Sequence, residues 1–262
     1  MYKLGVNSHV VKDISGNGLS FDDLKIDVIE LGFDDIPLIV DGKVNYAAVQ
    51  SLNSFDIEFT MHVPPSDARD ERIRLDFGIK SRRNIKIMEN VFKIASSLDI
   101  KSVVIHGGDI SESYWKAFLN TKNQIDEISK LAEDYTVNLC LENMEDNRVG
   151  FLPHQLLSLL KPNISITLDV GHAFLMSRKY GVPFRKYFDV LGKYITHVHL
   201  HDNMGYVDNY MALGEGIIDV NLALSELLKV NPREVILEIS NYRNPYNILK
   251  SINIVKSKNS TT

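Results

Sequence analysis

Short aliphatic runs alternate with longer amphipathic ones along the whole chain. The short runs read as strands at 3–7, 26–31, 57–63, 102–106, 137–143, 164–169, 195–201 and 234–240. Between them, stretches such as 79–98, 112–133, 154–160, 183–193 and 219–229 repeat their apolar positions at helical spacing. Strand–helix alternation implies parallel strands joined by helical crossovers. Eight such units in 262 residues predict an α/β fold, a single (β/α)8 TIM barrel. A doubly wound open sheet is the rival. The first strand is followed by no Gly-rich dinucleotide fingerprint, which weighs slightly against it.

Side-chain parity favours the barrel. Alternate residues of a strand face opposite ways. In the fifth strand Val137, Leu139 and Leu141 oppose Asn138, Cys140 and Glu142; in the sixth, Ile164, Ile166 and Leu168 oppose Ser165, Thr167 and Asp169. In the seventh, Thr196, Val198 and Leu200 oppose His197, His199 and His201; in the eighth, Val235, Leu237 and Ile239 oppose Glu234, Ile236, Glu238 and Ser240. One face is aliphatic and suits a layer of helices. The other is small or polar, with its ionisable groups near the C-terminal end. A sheet buried on both faces would carry near-continuous aliphatic runs instead.

Six consecutive strands therefore end in an inward imidazole or carboxylate: His62, His106, Glu142, Asp169, His199 and Glu238. Barrel enzymes place their sites at this C-terminal mouth. One buried histidine or carboxylate alone is commonly a satisfied structural group. Six at one mouth would be costly to bury without a cation, and they are ligand types for divalent metals. His199 lies level with the other strand ends and is the ligand expected from "HVHLHD". His201 is expected further toward solvent, where it could touch substrate. His197 is expected deeper, as a hydrogen-bonded interior residue, and Asp202 is a candidate to orient a neighbouring histidine.

Composition narrows the setting. The apolar fraction of 44% supports a full core, and no apolar run approaches the roughly 20 residues of a membrane span. "MYKLGVNS" carries no apolar leader pattern, and the lone Cys140 suits a reducing cytoplasm. The net charge of −5 gives no electrostatic reason to expect nucleic acid, without excluding a local basic groove. The most basic stretch, "RIRLDFGIKSRR" at 72–83, reads as a solvated helix face or as a phosphate contact. With no linker or low-complexity tract, one domain over 1–262 is expected, with a flexible tail from about 256. Oligomeric state is left open.

The motifs "IELG" (29–32), "MHVP" (61–64), "VIHGGD" (104–109), "LENM" (141–144), "LDVGHA" (168–173), "HLHDN" (199–203), "LGEG" (213–216) and "LEIS" (237–240) follow in order. In that order they resemble the xylose-isomerase-like barrel superfamily, which holds sugar and sugar-phosphate isomerases and epimerases and also endonuclease IV. The resemblance to the isomerase and epimerase branch implies one divalent metal on Glu142, Asp169, His199 and Glu238. It implies proton transfer by Glu142 and Glu238. It also implies a substrate contact from His172, which otherwise reads as an exposed residue at a helix N-terminus. Glu30 is expected near the substrate, with a buried ion pair as the alternative; Asp208 and Arg243 are further substrate-binding candidates. The metal is open among Zn, Mn, Mg, Co and Fe. His62 and His106 could hold a second metal with Glu142, or touch substrate.

The alternative is an endonuclease IV-like, zinc-dependent enzyme acting on abasic DNA. That branch implies three zinc ions, using His62, His106 and His172, and an Asp-x-His before the Gly-x-Gly turn. Asp208 matches, but Tyr210 stands where the histidine is expected. A third class, a sugar-binding or regulatory barrel, is disfavoured by the intact set of four ligands.

Overall fold

The computed structural model describes residues 2–16, 20–240 and 244–259. Eight parallel strands hydrogen-bond in sequence order and close into a barrel. They are β1 (Lys3–Asn7), β2 (Val28–Leu31), β3 (Glu58–His62), β4 (Ser102–Ile105), β5 (Asn138–Glu142), β6 (Ile164–Asp169), β7 (Ile195–Leu200) and β8 (Glu234–Leu237). All eight coincide with the predicted strands to within one to three residues at either end. The open-sheet rival is excluded, because an open sheet would leave β1 and β8 unpaired, and they pair directly from Lys3↔Glu234 to Val6↔Leu237. By contact the chain divides into two compact units, 1–30 with 167–262, and 31–166.

In the first unit, β8 lies in register between β1 and β7, so that Gly5, Ile236 and His199 stand level. On the other side of β1, Gly5 lies level with Val28 and Asn7 with Glu30. Gly5 is required where it stands: a Cβ there would come within 2.4 Å of the Val28 carbonyl and 2.9 Å of Ile236 Cδ1. Helix Val170–Tyr180 follows β6 without a loop, because Asp169 ends the strand and caps the helix at once. It stops at Gly181, whose φ of 65° is a left-handed stop that glycine takes without strain. Helix Val220–Val230 is capped by Asp219 and stopped by Asn231, again left-handed. The expected flexible tail is helical as far as Asn259, with Val255 buried and the Asn259 amide donating to the Tyr2 carbonyl at 3.1 Å.

In the second unit, helix Arg82–Ser97 buries Ile85, Met88, Val91, Phe92 and Ala95, the stripe that its sequence spacing predicts. A hairpin of Ile39–Val40 and Lys43–Val44 and helix Tyr46–Leu52 fill the stretch between β2 and β3, for which the apolar pattern gave no element. Three loops at the C-terminal end meet at close quarters. A Cβ on Gly107 would lie 1.9 Å from the Val149 carbonyl, and one on Gly108 would lie 1.8 Å from the Gly78 nitrogen. The two glycines of "HGGD" are thus required by packing of backbone on backbone. Backbone bonds Val149 N–H to Gly108 O, 2.9 Å, and Ile110 N–H to Asn147 O, 2.8 Å, fasten the contact.

Gly108→Ala should therefore lower the unfolding free energy by about 3 kcal/mol, because backbone cannot yield to the added methyl. Gly181→Ala, with open space around it, should cost about 1 kcal/mol from φ alone. Urea titrations of both variants measure the difference.

Candidate functional site

In the first unit the functional side chains gather at the ends of β6, β7 and β8. Asp169, His199 and Glu238 offer ligand atoms within 4.8 Å of one another. Asp169 and His199 are fully buried, whereas the Glu238 side chain keeps 20% exposure. Glu238 lies one residue past β8, and its N–H still donates to Leu200 O at 3.2 Å, which holds it at strand level. Asp169 divides its oxygens: Oδ1 accepts the His172 N–H at 2.6 Å, and Oδ2 lies 3.3 Å from His201 Nε2.

His199 is aimed by Glu30. Glu30 Oε1 lies 2.9 Å from His199 Nε2, while Oε2 lies 2.9 Å from His197 Nε2. With Nε2 turned to that carboxylate, Nδ1 is the His199 nitrogen turned to the strand ends. That atom faces Glu238 at 3.2 Å and Asp169 at 4.0 Å. A carboxylate behind an imidazole is the usual support for a metal-binding histidine. Burial pushes the Glu30 carboxyl up, but His199 and His197 outweigh it and hold it well below the ordinary carboxylate range. Burial likewise disfavours charge on His197, yet Glu30 and Glu234 raise it, so the ring sits between two carboxylates. His197 is thus the interior residue expected of it. Glu30 is 1% exposed and makes the buried ion pair that was the alternative for it, with one oxygen toward each of His197 and His199.

His172, His201, Asp208 and Tyr210 form the adjoining group. His172 stands in the first turn of its helix, but only 4% exposed, with Nε2 3.0 Å from Asp208 Oδ2. His201 is fully buried instead of reaching toward solvent. Its ring lies across Gly171, where a Cβ would come within 1.9 Å, and 4.7 Å from the Tyr210 ring. Burial works against a charged His201, but Asp169, Asp208 and Glu238 lift it to about 9. The Tyr210 hydroxyl donates to Asp208; burial and the surrounding carboxylates push that phenol far up, so it stays a donor. Asp202 meets His201 through its backbone carbonyl, 3.4 Å from His201 Nδ1, and not through its carboxylate. Its Oδ1 accepts from Asn203 and Ile218 N–H and its Oδ2 from Gly214 N–H, at 2.9–3.0 Å, so it ties down the loop that carries Asp208 and Tyr210. Arg243, expected at the substrate, lies outside the described residues.

The second unit has its own cluster. His62 Nε2 and His106 Nε2 lie 2.9 Å apart, and 3.4 and 3.1 Å from Glu142 Oε2. Burial holds His106 down at about 4 against the pull of Glu142, so the ring is neutral. His62 Nδ1 donates to the Val63 carbonyl at 2.8 Å. Behind His106 stands Arg148, with Nη1 3.2 Å from His106 Nδ1, Nε 3.0 Å from Asp109 and Nη2 3.1 Å from Ser66 Oγ. In the basic stretch 72–83, Arg72 pairs with Asp70 and Asp41, Arg74 with Glu71 and Arg82 with Glu127, while Arg83 donates to the backbone carbonyls of Glu71 and Arg72.

With eight closed parallel strands and these strand-end ligands in place, the match of residues 22–258 to the xylose isomerase-like TIM barrel model decides the kinship. The chain belongs to that family. A curated family relative, an uncharacterised protein of Methanocaldococcus jannaschii, is 29% identical over 251 residues, which span 87% of this chain and 81% of that protein. A solved D-tagatose 3-epimerase-like protein is 26% identical, with a TM-score of 0.75 over 99% of this chain and 97% of its own. The IolI protein, solved with bound zinc, shares the fold at 18% identity and a TM-score of 0.68, covering 99% and 97% of the two chains.

Within this xylose isomerase-like barrel, Arg148 is the site residue that sequence reading missed. It is separated from His106 by 42 residues and lies in no strand or helix. The available signal was the glycine pair of "HGGD", which calls for a close neighbour without naming it. Among the described residues no helix is long and apolar enough to cross a membrane.

Glu30→Gln should cost about 3–5 kcal/mol in the metal-free protein, because it leaves a buried imidazolium short of a carboxylate. Glu127→Gln, which breaks the exposed pair with Arg82, should cost about 0.5 kcal/mol or less. Guanidinium unfolding of the two variants makes the comparison.

Proposed function

We propose that this chain is a divalent-metal-dependent isomerase or epimerase of a small sugar or sugar phosphate, working as one catalytic domain in a cytoplasmic setting. The observation that carries the reading is the convergence of Asp169, Glu238 and the Nδ1 of a Glu30-backed His199. Two carboxylates and a neutral imidazole suit Zn, Mn, Mg or Co. Glu142, which ends β5 as Asp169 ends β6, is the fourth residue of the motif set and would complete the ligands. A bound divalent ion would supply Lewis acidity, polarising a substrate carbonyl or hydroxyl and so acidifying the neighbouring C–H.

The residues of the chain supply the rest. Glu142 and Glu238 are the pair that removes and returns the proton, one on each side of the carbon. His172, held through Asp208, is the candidate contact for a substrate oxygen. His201, 3.3 Å from Asp169 and packed on Tyr210, holds the Asp169 carboxylate in place. Two solved proteins of like fold agree with this reading: one is D-tagatose 3-epimerase-like, and the IolI protein carries zinc.

The nuclease reading has one observation in its favour, the His62–His106–Glu142 cluster. Against it, Asp208 is committed to His172 and Tyr210. Among the described residues, no metal-suited group of three includes Asp208, His172 or His201. The Ser66–Asp67 turn is drawn in against Arg148, which suits a small substrate better than a duplex.

Metal-loaded protein incubated with ketoses and ketose phosphates in deuterated water should introduce solvent deuterium into the sugar, and should leave a duplex with one abasic site intact. Nicking at an enzymatic rate with no deuterium in any sugar would overturn the proposal. Glu142→Gln and Glu238→Gln should each lower turnover about 100- to 10,000-fold. Glu30→Gln should weaken the metal about 10- to 100-fold, read by competition with a chelator.

A further inference from the structure

The His62–His106–Glu142 cluster has the residue types of a metal site, yet its hydrogen bonds run the wrong way for one. A guanidinium has only donors to offer. The contact of Arg148 Nη1 with His106 Nδ1 at 3.2 Å therefore requires a lone pair on Nδ1. In a neutral imidazole the proton then sits on Nε2. That N–H is given to His62 Nε2, 2.9 Å away, while Glu142 Oε2 lies 3.1 Å from the same nitrogen. His62 is set in the opposite sense: its Nδ1–H is given to the Val63 carbonyl, so its Nε2 accepts. A metal among the three would find lone pairs on His62 and Glu142, but a hydrogen on His106.

Moving that hydrogen to Nδ1 would set it against an Arg148 N–H in a largely buried place. Arg148 cannot easily swing away. Its side chain is 13% exposed, its Nε is held by Asp109 and its other arm by Ser66 and Asp67. Its backbone forms a bridge with Asp109. Gly107 packs directly on the Val149 carbonyl, and the Val149 N–H to Gly108 O bond of 2.9 Å ties the next residue to the His106 loop.

We infer that Arg148 is a positioning residue that locks His106 in its Nε2–H form, commits that hydrogen to His62, and so denies this cluster a metal. This exclusion of metal does not rest on the function proposed above. The same residues without the arginine would be free to act as a second metal site. Arg148 is thus the element that decides between two uses of one constellation.

Two measurements test this without relying on turnover. In the metal-free protein labelled with 15N-histidine, long-range 15N–1H correlation should show His106 protonated at Nε2 and bare at Nδ1. The reverse pattern would overturn the inference, whether or not any variant folds. Gel-filtered protein loaded with excess zinc should carry about one tightly held zinc per chain. Arg148→Met, which keeps the volume and removes the donors, should carry about two, and adding His106→Ala should return it to about one. Arg148→Lys, still a donor, should stay near one. A folded Arg148→Met that stays near one zinc, or wild-type protein that holds a second zinc on His106, would also overturn it. Failure of every sugar to turn over, with His106 protonated at Nε2 and the zinc counts as expected, would refute the carbohydrate reading while upholding the lock.

Discussion

A fully buried carboxylate must have a cation or a proton beside it, and this constraint organises the mouth of the barrel. Asp169 has zero exposure and Glu30 has 1%. Leaving either unpaired would cost several kcal/mol, more than most single contacts contribute. The chain meets the demand with histidines placed on alternate positions of β7, so that one strand serves both acids. His197 and His199 share Glu30 below, and His199 and His201 face Asp169 above. The strand register follows, since a slip of one residue would turn all three imidazoles into the helical layer.

The second unit solves a related problem by other means. Glu142 is 1% exposed and is met by the rings of His62 and His106, the second held neutral by burial. The guanidinium that could have paired with it stands one layer further back, behind His106. Charge is thereby kept off the face toward the mouth and the direction of the hydrogen bonds is set instead. Close backbone contacts at Gly107 and Gly108 are what allow so long a side chain to be held so firmly.

The sequence revealed what depends on periodicity. Alternation located all eight strands and the shared face of His197 and His199, and the strand ends named Glu142, Asp169, His199 and Glu238. It was blind to contacts set by loops. Asp202 reads like a partner for His201, since the two are adjacent, but backbone N–H groups up to 16 residues away claim both its oxygens. His201 seemed destined for solvent because it lies beyond the strand. The absence of a side chain at Gly171 draws the ring inward, and nothing local records that. Glu30 could be assigned to an inward face, yet whether it met substrate or histidine depended on β7, some 165 residues further along. Arg148 was invisible for the same reason.

The tether made by Asp202 has a further consequence. Its carboxylate binds the loop at Asn203, Gly214 and Ile218, and its backbone pairs with Met211 in both directions at 2.8 Å. Asp208 and His172 fix a further point between these anchors. What remains unrestrained is the tip, where Tyr206 is 74% and Val207 54% exposed. Insertions and replacements confined to that tip would leave the anchors and the acids beneath them undisturbed. The fold thereby separates a part that inheritance must keep from a part it is free to vary, and the tip is where related chains can diverge without rebuilding their chemistry.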